Sequence, residues 1–78
     1  MLDHDKAMKL WNSVFGKSVT RAKDCRNRII YKEAYGQPNS EFGWEVHHKL
    51  PKNQGGTDAF DNLQIVHYDT HNEIHRRQ

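Results

Sequence analysis

Five of the six histidines in this 78-residue chain fall between Trp44 and His75, among them His47 and His48 side by side, and His71 and His75 four residues apart. On a helix, His71 and His75 would lie one turn apart on one face, the spacing that lets two imidazoles hold one metal ion. A closed metal face needs a third ligand, and the His47-His48 pair is a source of more imidazole. In a regular strand neighbouring side chains point to opposite sides, so one of the pair is expected to ligate and the other to do something else. Three imidazoles plus open positions describe a catalytic site, whereas four protein ligands would describe a structural one. His48 is then the candidate general base, because a neutral imidazole with an ordinary pKa of roughly 6.5 can take a proton from water near neutral pH.

These residues need elements to place them. Thr70-His71-Asn72-Glu73 has the form of a capping box, which predicts a helix beginning at Thr70 with His71 in its first turn. A helix that short is not stable alone, so packing, metal or both must hold it. Phe42 to His47 or His48 reads as one strand, with Phe42, Trp44 and Val46 on its buried side, and Leu63 to Tyr68 as the next. Strict alternation sends His48 to the face of Trp44 and Val46, away from Glu45 and His47. The strand must therefore twist, bulge or end at His48, and Pro51 fits an ending. Gly55-Gly56, in the loop between the strands, is expected to serve a turn. His67 is expected to be partly buried and hydrogen-bonded rather than a ligand, and His4 to be solvated.

Upstream, Asp3 or Asp5 through Phe15 is predicted as a helix closed by Gly16, with Ala7, Met8, Trp11, Val14 and Phe15 as the core stripe covering the back of the histidine-bearing part. Gly16 to Arg28 is polar and basic, predicted to be irregular with a turn near Arg26-Asn27. Ile29 to Tyr31 suits a short strand, and Lys32 to Tyr35 a single helical turn before Gly36.

The pattern His47-His48, Gly55-Gly56, Asn62-Leu63, His71-x-x-x-His75 resembles the HNH endonuclease superfamily with its ββα-metal finger. Pro51, Gln54-Gly55-Gly56 and Asp61-Asn62 make this half most similar to the nuclease domains of colicin-type DNases and related bacteriocins. Asp24, Ile30, Tyr35-Gly36 and Phe42-Gly43-Trp44-Glu45 resemble the lead-in of small phage and bacterial HNH proteins. The resemblance implies an α+β fold: one small domain over residues 1–78, in which a helix and basic lead-in (1–41) pack against a finger (42–78). It implies that His47, His71 and His75 are the metal ligands, His48 the base that activates water, and Asn62 the amide that pins the base-bearing loop. Glu45 matches an acidic residue that orients a histidine. Arg28 is the candidate phosphate clamp, by analogy with arginines that approach the metal in related nucleases. The reaction implied is in-line attack of water on a DNA phosphodiester, leaving 5′-phosphate and 3′-hydroxyl ends.

Composition sets the remaining bounds. At 78 residues, a core alone gives little margin, and Cys25, the only cysteine, cannot form an internal disulfide, so one divalent metal ion is the expected staple. Three imidazoles favour zinc, nickel, cobalt or manganese over magnesium; zinc is expected after purification, while another of these ions can be the one that supports turnover. The net charge is only +2, but Lys17, Arg21, Lys23, Arg26, Arg28 and Lys32 cluster, and Lys49, Lys52, Arg76 and Arg77 flank the histidines. Such clusters suit DNA phosphates. No apolar run suits a membrane span and no signal peptide is recognisable, so no membrane partner and a cytoplasmic location are expected. The bacteriocin likeness adds an inhibitor (immunity) protein as an expected partner if the chain belongs to a toxin system. The competing reading is a non-catalytic, metal-stapled DNA-binding module, since His-x-x-x-His on a short helix also suits a structural zinc site.

Overall fold

Asp3 starts the first helix by accepting the Lys6 N–H at 2.9 Å; α1 then runs His4–Phe15 and stops at Gly16, which takes a φ of 112°. The computed structural model describes residues 2–76, so Arg77 lies outside the described residues. The buried stripe of α1 is Ala7, Leu10 and Trp11, and Val14, expected in it, is 54% exposed. Phe15 instead folds back onto Trp11, their rings 4.7 Å apart.

Trp11 and Trp44 form the centre of the core, with ring centroids 5.2 Å apart and neither side chain exposed. Burying an indole requires a partner for its N–H. Trp11 Nε1 donates to the Val19 carbonyl at 2.7 Å, and Trp44 Nε1 to that of Tyr31 at 2.8 Å. Leu10, Ile30, Leu63 and Ile65 pack around them, which joins α1 to the finger behind the histidines.

Gly16 to Arg28 is more ordered than expected. Arg21–Lys23 form β1, paired antiparallel with β2 (Ile29–Tyr31) in the register Arg21↔Tyr31 and Lys23↔Ile29. The turn falls near Arg26-Asn27, as expected, with Asn27 at φ 64°. The order comes from Asp24, whose carboxylate accepts the N–H groups of Arg26 (2.9 Å), Arg28 (3.0 Å) and His67 (3.0 Å). Burial would raise its pKa, but hydrogen bonds from the Thr70 hydroxyl and those three N–H groups outweigh burial and hold it below the ordinary value. The hairpin is thereby tied to the finger.

A single 3₁₀ turn at Lys32–Ala34 leads on, as predicted, and the finger follows as β3 (Trp44–His48), β4 (Leu63–His67) and α2 (Tyr68–Arg76). β3 and β4 pair antiparallel without interruption from Trp44↔His67 to His48↔Leu63. Thus β3 neither bulges nor slips; it ends at His48, and the Lys49 N–H closes the pair on the Asn62 carbonyl at 2.8 Å.

The start of α2 corrects the capping-box reading. The helix begins at Tyr68, directly after β4, and the residue before it acts as the cap: Asp69 N–H donates to His67 Nδ1 at 3.0 Å. His67 Nε2 donates to the Glu41 carbonyl at 2.7 Å, so this imidazole is buried and fully used. Thr70 is the third residue of the helix, within its first turn and completely buried, and its hydroxyl accepts from Arg28 Nη1 at 2.9 Å. Among the described residues, two helices and two two-stranded sheets make an α+β fold in which a ββα finger packs on α1. No helix among them is long and apolar enough to cross a membrane.

Candidate metal centre

β3 and α2 bring three imidazoles to one point. His47 projects from β3, and His71 and His75 sit one turn apart on α2. One nitrogen from each lies within 4.8 Å of the others, the grouping expected from the sequence. The ring centroids are 5.2 Å (His47–His71), 5.8 Å (His47–His75) and 4.3 Å (His71–His75) apart. The Nε2 atoms of His71 and His75 are only 2.8 Å apart, close enough for one ion to engage both.

Glu45 faces the same way as His47, two residues along β3, and its carboxylate meets Nδ1 of His71. A carboxylate only accepts, so the proton is on Nδ1 and the lone pair on Nε2, the electronic state a ligand nitrogen must have. Burial lowers the His47 pKa, reinforced by the charges of His75 and His48, and lowers that of His71, reinforced by His75. Both imidazoles are thus held toward the neutral form that coordinates. On donor type, spacing and protonation, the triad fits a divalent ion.

His48, the last residue of β3, is set apart from the triad but lines the same open cleft of about 340 Å³ with His47, His71 and His75. Its Nε2 lies 2.7 Å from Asp58 Oδ1, and Asp58 Oδ2 lies 3.2 Å from Lys52 Nζ. Asn62 closes the intervening loop. Its Oδ1 accepts the Leu50 N–H at 2.8 Å, and its Nδ2 donates to the carbonyls of Leu50 (3.1 Å) and Thr57 (2.8 Å).

The sequence model of the family described as HNH endonuclease matches residues 36–77, more than half of the chain. The chain belongs to the HNH endonuclease family. No curated protein and no solved structure matches it, so the finer likeness to colicin-type DNases rests on the motif residues alone. HNH domains bind a divalent metal, generally act as endonucleases on DNA, and here present a histidine triad able to hold such an ion.

The basic residues divide. Lys52 lies at the histidine cleft, whereas Lys49 borders a separate depression with Phe60 and Gln64. Arg28 is not brought to the triad: Nη1 and Nη2 grip Glu73 at 2.9 and 2.7 Å. Glu73 is two residues from both His71 and His75, about 200° around the helix, so Arg28 works on the opposite side of α2. Arg76, exposed at the end of α2, borders that side too. Asp58 is the site residue that sequence reasoning missed. Its only signal was its position four residues before Asn62, inside the loop that the asparagine closes on His48.

Proposed function

We propose that the chain is a metal-dependent endonuclease that hydrolyses DNA phosphodiester bonds with low sequence specificity. The observation that carries this reading is the fourth imidazole: His48 borders the cleft of the His47–His71–His75 triad, yet its Nε2 is engaged by Asp58. A purely structural metal site has no use for it.

In this reading His47, His71 and His75 hold the ion and Glu45 fixes the His71 tautomer. When bound, a divalent ion supplies Lewis-acid stabilisation of charge on the scissile phosphate and its leaving 3′ oxygen. His48 takes a proton from water as the water oxygen bonds to phosphorus and the P–O3′ bond breaks, and the leaving 3′ oxygen takes up a proton from solvent, leaving 5′-phosphate and 3′-hydroxyl ends. Asn62 holds the loop after His48, and Lys52 and Lys49 offer positive charge to the DNA backbone. One small finger leaves little surface for reading base edges, which supports low specificity.

Plasmid nicking tests this with zinc, nickel, cobalt, manganese and magnesium, each with and without chelator, against His48→Ala. Metal-dependent cutting that His48→Ala abolishes without losing the ion is the expected result. Salt-dependent DNA binding without strand breaks in any metal would instead establish a binding module, and full cleavage by His48→Ala would remove His48 as the base.

A further inference from the structure

We propose that Asp58 is a positioning residue for His48, and that Asn62 acts on the base largely by holding Asp58 in place. The inference rests on the nuclease reading for its kinetic consequence, but its structural content stands apart from it. Asp58 Oδ1 is 2.7 Å from His48 Nε2. An ionised carboxylate can only accept, so Nε2 must carry the hydrogen and the lone pair must sit on Nδ1. A neutral imidazole without this partner exchanges between tautomers, and in one of them the nitrogen needed as base already bears a proton.

Three further contacts make the pairing a built one. Lys52 Nζ takes the other carboxylate oxygen at 3.2 Å, which fixes the carboxylate's orientation. Hydrogen bonds from His48 and Lys52 keep the Asp58 carboxyl below its ordinary range, and therefore ionised. The residue before it, Thr57, is held through its carbonyl by Asn62 Nδ2 at 2.8 Å, while the same amide spans Leu50 at the other end of the loop. Asn62 thus reaches His48 by two routes: through Leu50, two residues beyond His48 in the chain, and through Thr57 and Asp58 in space. The second places a charge where it decides the base's tautomer.

The test combines kinetics with a direct view of the imidazole. For Asp58→Ala, kcat for DNA cleavage should fall by roughly 10- to 100-fold, with KM and zinc affinity within about twofold of the original. Asp58→Asn, which keeps an acceptor oxygen, should retain more activity than Asp58→Ala. Because the two residues act in series, Asp58→Ala/Asn62→Ala should lose less than the product of the single losses. Two-bond proton–nitrogen spectra of the zinc-loaded protein, at a pH where imidazole is neutral, should show His48 as the Nε2–H tautomer and a mixture in Asp58→Ala. A His48 that is Nδ1–H, or whose tautomer ignores Asp58→Ala, overturns the proposal. So does cleavage unchanged in Asp58→Ala, or fully multiplicative losses in the double variant. If the unsubstituted protein cuts no DNA in any metal, the nuclease reading fails and the kinetic role of Asp58 fails with it, while the spectra still decide whether Asp58 sets the tautomer.

Discussion

Arg28 grips Glu73 through two parallel hydrogen bonds of 2.9 and 2.7 Å, from the hairpin to the face of α2 that points away from His71 and His75. Arg26 adds a third contact to the same carboxylate at 2.5 Å, and Arg28 Nη1 also reaches Thr70. The basic lead-in thereby braces the helix that carries two of the three imidazoles.

Arg28→Ala should therefore lower the melting temperature and weaken zinc binding together, with cleavage falling in proportion to metal loading. Arg28→Lys should recover only part of each, because an ammonium cannot reproduce the forked geometry. Titration calorimetry and thermal unfolding check this. If Arg28→Ala left both unchanged and raised KM alone, the arginine would be acting on phosphate instead.

Glu73 gives the brace a pH signature. Arg28, joined by Arg26, outweighs desolvation and holds the Glu73 carboxyl down from 4.5 to about 2. Its folded-state pKa is depressed, so its stabilisation is complete above the unfolded value and is lost as pH falls from there through about 2. Glu73→Gln should lower the melting temperature at neutral pH and flatten its fall across that acid window. An unchanged acid slope in Glu73→Gln would show that the pair contributes nothing to stability.

Much of this arrangement was legible in the chain because local signals and packing agree. Asp3 both looks like a cap and is one, and Trp44 alternates with Glu45 and His47 as a half-buried strand requires. Where reading failed, a side chain was taken by a distant partner. Thr70 has the sequence of a cap, but Asp24 and Arg28 engage its hydroxyl, and an imidazole, His67, caps the helix three residues earlier. Arg21–Lys23 lacks the apolar alternation of a strand and becomes one through its pairing with Ile29–Tyr31 and the Asp24 contacts that close the turn. Asp58 meets His48 only after a loop of irregular conformation has closed, and no periodicity reports that.

The metal site should depend on three histidines and not the fourth. His47→Ala, His71→Ala and His75→Ala should each weaken zinc binding by more than about 100-fold, His48→Ala should leave it within about twofold, and Glu45→Gln should cost roughly 10- to 100-fold. With the ion at about a thousandfold over its Kd, chelation should lower the melting temperature by roughly 15 °C or more. Equal losses from His48→Ala and His47→Ala would mean that His48 belongs to the ligand set.

Acid should strip the ion and loosen the fold for one shared reason. His47 and His71 have pKa values below the ordinary 6.5, from burial first and neighbouring histidines second. Their neutral forms are favoured by folding, so the stabilisation is present above 6.5 and lost as pH falls through the lowered values. The chelated protein should lose melting temperature over that range, and the metal-loaded protein should lose more, because protons also compete with the ion. Melting curves between about pH 8 and 5 that stay flat for both forms would contradict this account.

The two adjacent glycines of the loop should respond differently to the same substitution. Gly55 has a φ of 92°, and a Cβ there would meet nothing within 4 Å, so Gly55→Ala should cost only the backbone strain, about 1–2 kcal/mol. Gly56 is a different case: its N–H donates to the Pro51 carbonyl at 2.9 Å, and a Cβ on it would overlap the Leu50 carbonyl, the group that Asn62 holds. Gly56→Ala must push Leu50 away and with it the closure that sets Asp58 against His48. The triad lies on β3 and α2, outside this loop, so Gly56→Ala should lose cleavage by roughly 10-fold or more while retaining zinc, and Gly55→Ala should keep both. Measuring zinc affinity beside kcat separates the cases, since a loss of metal in Gly56→Ala would mean that the loop supports the ion as well as the base.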